Sequence, residues 1–584
     1  MKINNSGQKD RTYQFKGKGN EDKNRTEIKD SLVLSRENTE ESLYRAGDKI
    51  KNLFVKTGFS KGPAQRDGDC ETLQEIGRNE PLPVPETAYT GAEAQMAAQL
   101  EAYLEKILID PQAEAEMIKM IASLNAAGKL RPVLQAVAAT AVESGSLPPI
   151  PEKKIIEMVN QFADMIDAEL SSHGMTPETH GKVYKDWETM AKEHLSMMRN
   201  SKVPPRKPGE PSCFTDSDFL KELETLQGAS FQDGNSITPL IDGPASFSER
   251  NRLIDSATKS IHMMTWAFYD DETGWETAKK LVARHHDGLD VQVVVDGQVG
   301  SREHHSETLK YMEENGVKVI KWRNPEEPYQ GQHRKLLIVD GESAIAGGLN
   351  PGNFYSHMGP SDGAKWRDTD VLLTGPAVAD CEKLFSSVTG TEAEPHIPAV
   401  TGSARVASVN HVPGVDANIM LATMKAIQGA SGLIDIENAY FIQTPGIKQV
   451  LLDALARGVD VRIFTNSAES VDEQIVSAPI LRSLPEFVEA GAEVYLKKGD
   501  TLHSKFMVID GMYSSIGSYN LHPRSERYEG EMTLNILDTE TASNLTEAFE
   551  KDIAQAIRVT TSEQIKVPDN IMTIIPARYF FDQL

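Results

Sequence analysis

The chain has 584 residues and a formal net charge of −25 at pH 7, with 61 Lys and Arg against 86 Asp and Glu. This length predicts several domains, and the acidic balance excludes a surface that attracts nucleic acid or anionic lipid as a whole. The three cysteines, Cys70, Cys213 and Cys381, are widely spaced and odd in number. They therefore exclude a disulfide framework and a cysteine metal cluster, and they indicate folding in a reducing compartment.

Residues 1–90 are rich in polar and charged residues and have few apolar clusters, which predicts a disordered leader. The leader has no apolar segment of a cleaved signal peptide, and no run of about 18 apolar residues occurs in the chain. We expect a protein that is cytoplasmic or exported without a cleaved signal peptide, peripheral at membranes and without a transmembrane segment. An export chaperone or another partner that binds the N-terminal region is a further expectation.

Residues 91–200 are predicted to form a helical domain, because apolar residues recur there at intervals of three and four. The residues Ile155, Val159, Phe162 and Ile166 are one example of this spacing. Methionine-rich stripes in this region fit an ordinary core better than a groove for a chaperone. Residues 201–212 are rich in proline and predict a stiff linker to the rest of the chain.

After the linker, the same order of elements occurs twice. Apolar strand patterns, such as those at 260–268 and 432–441, alternate with helical segments. This alternation predicts two α/β lobes with largely parallel sheets, lobe 1 at residues 213–400 and lobe 2 at residues 401–584. The internal repeat also places the active site where the two lobes meet, around a pseudo-twofold axis.

Each lobe carries one copy of the motif His-x-Lys-x4-Asp-x6-Gly-[Gly/Ser]-x-Asn, and the second copy begins 170 positions after the first. Alternate residues of a strand share a face, so the His and Lys side chains converge on one site, whereas the opposite parity of the Asp predicts a structural role. The glycines allow backbone N–H groups to approach an anion, and the Asn is a further donor. The motif residues are His333, Lys335, Asp340, Gly348 and Asn350 in lobe 1 and His503, Lys505, Asp510, Ser518 and Asn520 in lobe 2.

Two histidines suit the cleavage of a phosphodiester. One imidazole attacks phosphorus and becomes a covalent phosphohistidine, while the other transfers the proton that the leaving alkoxide needs. Lys335, Lys505, Asn350 and Asn520 are predicted to bind the substrate and to neutralise charge on its non-bridging oxygens. This chemistry requires no metal and no cofactor.

The doubled motif resembles that of the phospholipase D superfamily, whose signature groups Asp340 and Asp510 with the catalytic His and Lys residues. Similarity to bacterial cardiolipin synthases and related phospholipases extends to Trp366-Arg367-Asp368-Thr369-Asp370-Val371, to Arg524-Ser525 and to Glu531. The resemblance covers about residues 237–557. It implies the phospholipase D fold of two α/β lobes, with His333 as the nucleophile and His503 as the general acid and then base.

The resemblance also implies partners for the two imidazoles. In relatives, an acidic residue that trails each motif copy crosses the lobe interface and supports the His of the other lobe. Glu531 and Asp370 are the residues at which we expect this role beside the substrate. Asp368 lies on the same strand face as Asp370 and stays open as an alternative to it.

The favoured function is a phospholipase D or phosphatidyltransferase that cleaves glycerophospholipid phosphodiesters and transfers the phosphatidyl group to water or an alcohol. A nuclease or another nucleic-acid phosphodiesterase of the same superfamily is the alternative, because the same chemistry serves both substrates. An inactive scaffold is disfavoured, since every required residue is present twice. The acidic charge and the flanking segments favour a phospholipid at a membrane surface over nucleic acid as the partner.

Overall fold

The computed structural model describes residues 96–97, 111–143, 159, 163, 166 and 177–567, except 303, 326, 328, 329, 362 and 392–395. The predicted disordered leader, residues 1–90, lies outside the described residues. Among the described helices, none combines the length and the apolar character needed to cross a membrane.

Helices and strands are numbered here in chain order. The helices are α1 (Pro111–Ala126), α2 (Leu130–Glu143), α3 (Pro177–Arg199), α4 (Ser217–Gln227), α5 (Asp242–Ser256), α6 (Glu272–His286), α7 (Glu307–Glu314), α8 (Asn353–Ser356), α9 (Val378–Thr389), α10 (Asn418–Gly429), α11 (Pro445–Ala456), α12 (Gln474–Ser483), α13 (Pro485–Glu489), α14 (Pro523–Arg527) and α15 (Thr539–Ile553). The strands are β1 (Gln232–Ile241), β2 (Ser260–Thr265), β3 (Asp290–Asp296), β4 (Lys318–Trp322), β5 (Gly331–Gln332), β6 (Leu336–Val339), β7 (Ser343–Gly347), β8 (Thr369–Thr374), β9 (Ala404–His411), β10 (Leu433–Asn438), β11 (Asp460–Thr465), β12 (Glu493–Leu496), β13 (Lys505–Ile509), β14 (Tyr513–Gly517), β15 (Glu529–Leu537) and β16 (Ile557–Val559).

The predicted fold class is confirmed, because two α/β lobes repeat the same order of strands and helices. One continuous sheet runs through both lobes in the order β16-β12-β11-β10-β13-β14-β15-β9-β1-β8-β7-β6-β2-β3-β4, with β5 paired to β15. Strands β1 and β9 pair with each other at the centre and join the two halves. The sheet thus holds the two motif copies in one rigid frame.

The expectation of largely parallel sheets is wrong for half of each lobe. Only β2-β3-β4 and β10-β11-β12 form parallel runs within the lobes. The strands that carry the motif, β6 with β7 and β13 with β14, form antiparallel hairpins. The tight turn after each motif Asp leaves no room for the crossover helix that a parallel connection needs.

The turn residues Asp340 and Asp510 anchor these hairpins. Both have positive φ, at 57° and 53°. The Asp340 carboxylate accepts hydrogen bonds from the backbone N–H groups of residues 258–260, and the Asp510 carboxylate accepts them from residues 431–433. Each carboxylate therefore ties a hairpin to the loop that precedes a parallel strand. The family signature groups these two residues with the catalytic His and Lys, but their contacts here are with the backbone.

Helix α3 belongs to the core of lobe 2. Its residues Trp187 and Met198 are buried in the same apolar cluster as Ile447 of α11, and Val203 of the predicted linker joins that cluster. Helix α4, at the start of the predicted lobe 1 segment, packs in the same cluster. Lobe 2 is consequently covered by chain that precedes both motif copies, and residues 201–212 lie against it.

Replacing Trp187 by alanine is expected to lower the free energy of unfolding by about 3–5 kcal/mol, because a fully buried indole leaves a large cavity. Denaturant unfolding of the full chain measures the change. The half-buried Trp275 of lobe 1 is the matched control and should cost less. Equal unfolding of the Trp187→Ala variant and the wild type would show that α3 is not part of the lobe 2 core.

Candidate active site

The first motif histidine is placed by a short parallel ladder between the lobes. Strand β5 pairs with the first residues of β15, and the backbone N–H of His333 donates to the Gly530 carbonyl at 2.9 Å. This register sets Glu531 of lobe 2 beside the imidazole, with 2.9 Å between His333 Nδ1 and Glu531 Oε1. The first histidine is thus held by the opposite lobe.

The second motif histidine is placed in the same way with the lobes exchanged. An isolated parallel bridge joins Arg367 to Leu502, and the backbone N–H of His503 donates to the Arg367 carbonyl at 2.7 Å. Asp368 of lobe 1 then lies 2.7 Å, Oδ2 to Nδ1, from the imidazole of His503. Each lobe therefore supplies the carboxylate that supports the other lobe's histidine.

These contacts fix the tautomer of both imidazoles. A carboxylate only accepts hydrogen bonds, so the proton of each neutral ring lies on Nδ1 and the lone pair on Nε2. The side chains of His333 and His503 are nearly buried, at 10% and 6% exposure. Both Nε2 atoms are consequently prepared to attack an electrophile or to exchange a proton.

The expectation that Asp370 supports His503 is corrected by the structure. Asp370 is fully buried inside lobe 1, where Arg250 Nη2 lies 2.7 Å and Ser246 Oγ lies 2.5 Å from its carboxylate. Asp368 and Asp370 share a strand face, but only Asp368 reaches the lobe interface. A signal was present in the sequence, because aligning Val371 and Leu373 of the first copy with Leu534 and Ile536 of the second equates Asp368 with Glu531.

The small residues of the motif lie against these two carboxylates. The Gly348 N–H donates to the Thr369 carbonyl at 3.2 Å, and a Cβ atom on Gly348 would overlap the Asp368 carboxylate. In lobe 2, the hydroxyl of Ser518 donates to Glu531. The predicted anion-binding role of Gly348 and Ser518 is therefore replaced by one in positioning the carboxylates.

Replacing Gly348 by alanine is expected to lower kcat by about 10–100-fold, because the methyl group must displace Asp368 from His503. The matched control is Gly432→Ala, where the nearest atom would lie at an ordinary contact distance of 3.4 Å. Steady-state rates and circular dichroism of both variants make the comparison. A Gly348→Ala enzyme with the wild-type kcat would contradict the role of the Asp368 contact.

The two motif lysines lie deep in the same site. Lys335 Nζ donates to the His333 carbonyl at 2.8 Å, and Lys505 Nζ donates to the His503 carbonyl. Burial lowers the pKa of Lys335 to about 7 and that of Lys505 to about 8, and the charge of Lys505 also lowers the pKa of Lys335. Two ammonium groups this close are stabilised by a bound anion, so an anion should raise both pKa values.

The stabilisation of the protein by sulfate is expected to grow as the pH falls from 9 to 6. Lys335 and Lys505 take up protons through pKa values of about 7 and about 8, while sulfate stays a dianion throughout. Thermal unfolding with sodium sulfate and with sodium chloride of equal ionic strength measures the effect. The Lys335→Met variant should lose much of the pH dependence. Stabilisation that is constant or larger at pH 9 would contradict it.

The two motif asparagines differ in their surroundings. Asn350 Oδ1 accepts from Thr265 Oγ1 at 2.8 Å and from the Trp266 N–H at 3.2 Å, and Nδ2 donates to Tyr355 Oη at 3.0 Å. The buried Oδ1 of Asn520 has no hydrogen-bond partner among the described residues. Asn350 therefore orders the strand ends around the site, and donation to phosphate by either asparagine stays a prediction.

Aromatic residues of lobe 1 enclose His503. The Trp366 ring stacks on the imidazole at 5.5 Å between centroids, and the Tyr355 ring meets it edge-on at 5.1 Å. Burial, followed by the charge of Lys505, lowers the pKa of His503 to about 3. His503 is consequently neutral before a substrate anion binds. The sequence placed Trp366 in a family segment but gave no sign of this contact.

The lobes meet in two seams, the first where β5 pairs with β15 and the second at the bridge from Arg367 to Leu502. Each seam contains a buried arginine. In the first seam, the Arg334 guanidinium packs on Gly530, where any Cβ atom would overlap it. In the second, Arg367 binds Asp552 with 2.7 Å between Nε and Oδ2. Ser504 occupies the position that corresponds to Arg334. Arg334 thus faces a small residue, which lets the backbones of the two lobes approach closely in the first seam.

One group of side chains in the site has the composition of a metal ligand set. His333, Glu529 and Glu531 present ligand atoms within 4.8 Å of one another. One oxygen of Glu531 also accepts from Ser525 Oγ at 2.6 Å, so the carboxylate is already held by hydrogen bonds. Independence of metal stays a prediction, and chelation tests it.

Both motif copies lie in segments that match a family model. The model is described as "Cardiolipin synthase, PLD-like domain" and matches residues 251–354 and 423–553. The major cardiolipin synthase of Bacillus subtilis is 28% identical over 375 residues, which cover 61% of this chain and 77% of that protein. The cardiolipin synthase of Listeria welshimeri is 26% identical over 411 residues, which cover 65% and 83% of the two chains.

The fold is also similar to that of a solved structure. The crystal structure of phosphatidylserine synthase from Haemophilus influenzae matches with a TM-score of 0.53 at 16% identity, and the match covers 62% of this chain and 98% of that chain. At this identity the likeness concerns the fold alone. It extends the similarity to nearly the whole length of a protein built on the same two-lobed plan.

Proposed function

The chain is an enzyme of the phospholipase D superfamily, and from this premise we propose that it transfers phosphatidyl groups from a glycerophospholipid to an alcohol or to water. The observation that carries the proposal is the pair of imidazoles, each held through Nδ1 by a carboxylate of the opposite lobe, beside two buried lysines. This arrangement fits an anionic phosphodiester between two groups that act in turn.

In the proposed first step, Nε2 of His333 attacks phosphorus and the bond from phosphorus to the head-group oxygen breaks. When the substrate anion binds, His503 takes up a proton from solvent on Nε2, and it then gives this proton to the leaving alkoxide, so the alcohol departs neutral. In the second step, His503 takes a proton from the incoming alcohol or water, whose oxygen displaces His333 from phosphorus. The ammonium groups of Lys335 and Lys505 stabilise the charge on the non-bridging oxygens in both steps.

The assignment of the nucleophile to His333 follows the family resemblance, and one observation favours the reverse. Because the pKa of His503 is lowered to about 3, its imidazole is neutral and able to attack before substrate binds. The two assignments are distinguished by mixing a His503→Asn variant with dispersed phospholipid, quenching the reaction rapidly and analysing the peptides by mass spectrometry. An adduct on His333 supports the assignment, and an adduct that forms on His503 in a His333→Asn variant reverses it.

A lipid substrate is supported by the names of the relatives and by charge. The matching relatives are cardiolipin synthases, and cardiolipin contains two phosphatidyl groups. The net charge of −25 disfavours a polyanion such as DNA, which requires many basic contacts. A head group on the phospholipid and a hydroxyl group on the acceptor are the only features that the proposed chemistry requires of the substrates.

The test is to incubate the purified protein with defined phospholipids, with and without glycerol or ethanol, and to separate the products. A phosphatidyl alcohol or phosphatidic acid, with no cleavage of single- or double-stranded DNA at low salt, is the expected result. DNA cleavage that is lost in the His333→Ala variant, without any lipid turnover, would show a nuclease instead.

A further inference from the structure

A third histidine, His522, lies next to the active site without a role in the steps above. It follows Asn520 by two residues, is only 4% exposed and precedes the short helix α14 as its N-cap. Its Nδ1 accepts a hydrogen bond from the Ser525 N–H at 3.2 Å. The proton of the neutral ring must therefore lie on Nε2.

His522 is neutral over the physiological pH range. Burial is the largest cause that lowers its pKa, to about 3. The charge of Glu529 opposes this shift, and the charges of Arg524, His333 and Lys505 add to it, in that order. Among the described residues, Nε2 makes no hydrogen bond. His522 is not among the residues with a buried polar atom that lacks a partner, so this N–H is open to a partner that arrives with the substrate.

Hydrogen bonds connect His522 to the first catalytic histidine. Ser525 donates through its N–H to His522, and through its hydroxyl to Glu531 Oε1 at 2.6 Å. The same Oε1 atom lies 2.9 Å from His333 Nδ1. Ser525 and Glu531 thus link the two imidazoles through their Nδ1 atoms, and His522 is close enough for the charges of His333 and Lys505 to lower its pKa.

The corresponding position in lobe 1 cannot hold an imidazole. That position is Gly352, the N-cap of α8, and a Cβ atom there would lie 2.7 Å from the Tyr269 ring. The site therefore has two motif histidines in equivalent positions but a third imidazole from lobe 2 alone. This breaks the pseudo-twofold symmetry of the donors around the phosphorus.

We propose that His522 donates its Nε2–H to a non-bridging phosphoryl oxygen of the bound substrate. The assignment deepens the proposed function, because it names a further group that binds the same phosphodiester. A phosphoryl oxygen is the acceptor that fits, since the nearby His333 and Lys505 act on that group and a hydrogen bond to an anion is stronger than one to a neutral oxygen. His522 is then a substrate-binding residue and takes no proton in the reaction.

Two substitutions distinguish the role of His522 as the N-cap of α14 from its proposed role as a hydrogen-bond donor through Nε2. In His522→Asn, the side-chain oxygen replaces Nδ1 as acceptor for the Ser525 N–H, but no donor reaches the position of Nε2. In His522→Gln, the amide nitrogen reaches roughly the position of Nε2, and the cap is weakened. The exposed histidine His396 supplies the control, as His396→Asn.

Sulfate is the probe for the phosphoryl site. Titration of the full-length variants, followed by thermal unfolding against sodium chloride of equal ionic strength, gives the dissociation constant. We expect His522→Asn to weaken sulfate binding by about 10–100-fold and His522→Gln to stay within about threefold of the wild type. Sulfate binding by His522→Asn within about twofold of the wild type would overturn the assignment and leave only the helix cap.

The other outcomes of these measurements also support or contradict the role assigned to His522. If His522→Asn unfolds more readily without ligand, its sulfate binding is measured by calorimetry at a temperature at which it is folded. Weakened binding that recovers in His522→Gln supports the donor, and equal binding by the two variants overturns it. Phosphatidyl transfer gives a second readout, in which kcat falls in His522→Asn and recovers in His522→Gln. Sulfate binding that depends on His522 without phospholipid turnover in the wild type would refute the proposed function and leave this assignment standing.

Discussion

Replacement of His333 or His503 by alanine is expected to lower kcat by at least about 10⁴-fold, because each change removes the nucleophile or the proton-transfer group. The double variant should be no slower than the poorer single variant, since the two imidazoles act within one catalytic cycle. The rate of phosphatidyl product formation from dispersed phospholipid measures both effects.

Two controls accompany these variants. The His396→Ala change removes an exposed imidazole that contacts Glu342 and should leave kcat unchanged. A chelator should leave the wild-type rate unchanged, because two imidazoles complete the proposed steps without a metal. Loss of activity in the chelator and recovery on addition of a divalent metal would contradict this chemistry and point to the ligand atoms of His333, Glu529 and Glu531.

The Asp368→Asn variant is expected to lower kcat by about 10²–10⁴-fold while the fold is retained. In the amide, only the oxygen can accept a hydrogen bond from the Nδ1–H of His503. The amide N–H can instead donate to Nδ1, which favours the wrong tautomer, with the ring proton on Nε2. Glu531→Gln should act in the same way on His333. Steady-state kinetics at several pH values, with unfolding curves of the same samples, give the comparison.

Asp370 is the matched control for Asp368, two residues away on the same strand face. Asp370→Asn leaves the buried Arg250 without its charge partner and should lower the free energy of unfolding by about 3–5 kcal/mol. Its kcat, measured where the protein is folded, should stay within about threefold of the wild type. The opposite pattern, with Asp370 essential for turnover and Asp368 dispensable, would contradict the placement of the two carboxylates.

The sequence predicted that His333 and Lys335 would lie together and that Asp340 would turn away. His333 and Lys335 lie in the short segment between β5 and β6, where Lys335 Nζ reaches the His333 carbonyl, and the Asp340 carboxylate binds the backbone before β2. The duplication placed the site between the lobes. These inferences depend only on geometry within a few residues of chain, which the sequence determines directly.

The contacts that depend on the register between distant strands were not predictable in this way. Asp368 and Asp370 have the same parity, and the choice between them is made by the bridge from Arg367 to Leu502. The sequence predicts an anion-binding role for Gly348 because it does not show that the Asp368 carboxylate lies against this glycine. Packing between elements far apart in sequence decides both cases.

The surroundings of lobe 2 show the same limit. Helical periodicity predicted a helical domain over residues 91–200 but not the surface that α3 covers, and the burial of Trp187 in the lobe 2 core ties this helix to the catalytic region. The short turns after Asp340 and Asp510 make the motif strands antiparallel hairpins. The overall alternation of strands and helices predicted parallel strands instead. Sequence patterns predicted the type of each element better than they predicted which other elements it packs against.

The steric course at phosphorus tests the covalent phosphohistidine most directly. The measurement uses a P-chiral phosphorothioate analogue of the phospholipid substrate, a primary alcohol as acceptor, and the configuration of the phosphatidyl alcohol that forms. Two successive in-line displacements, first by a histidine and then by the alcohol, predict retention of configuration. Inversion would mean that the alcohol attacks phosphorus directly, and it would contradict a covalent intermediate on either histidine.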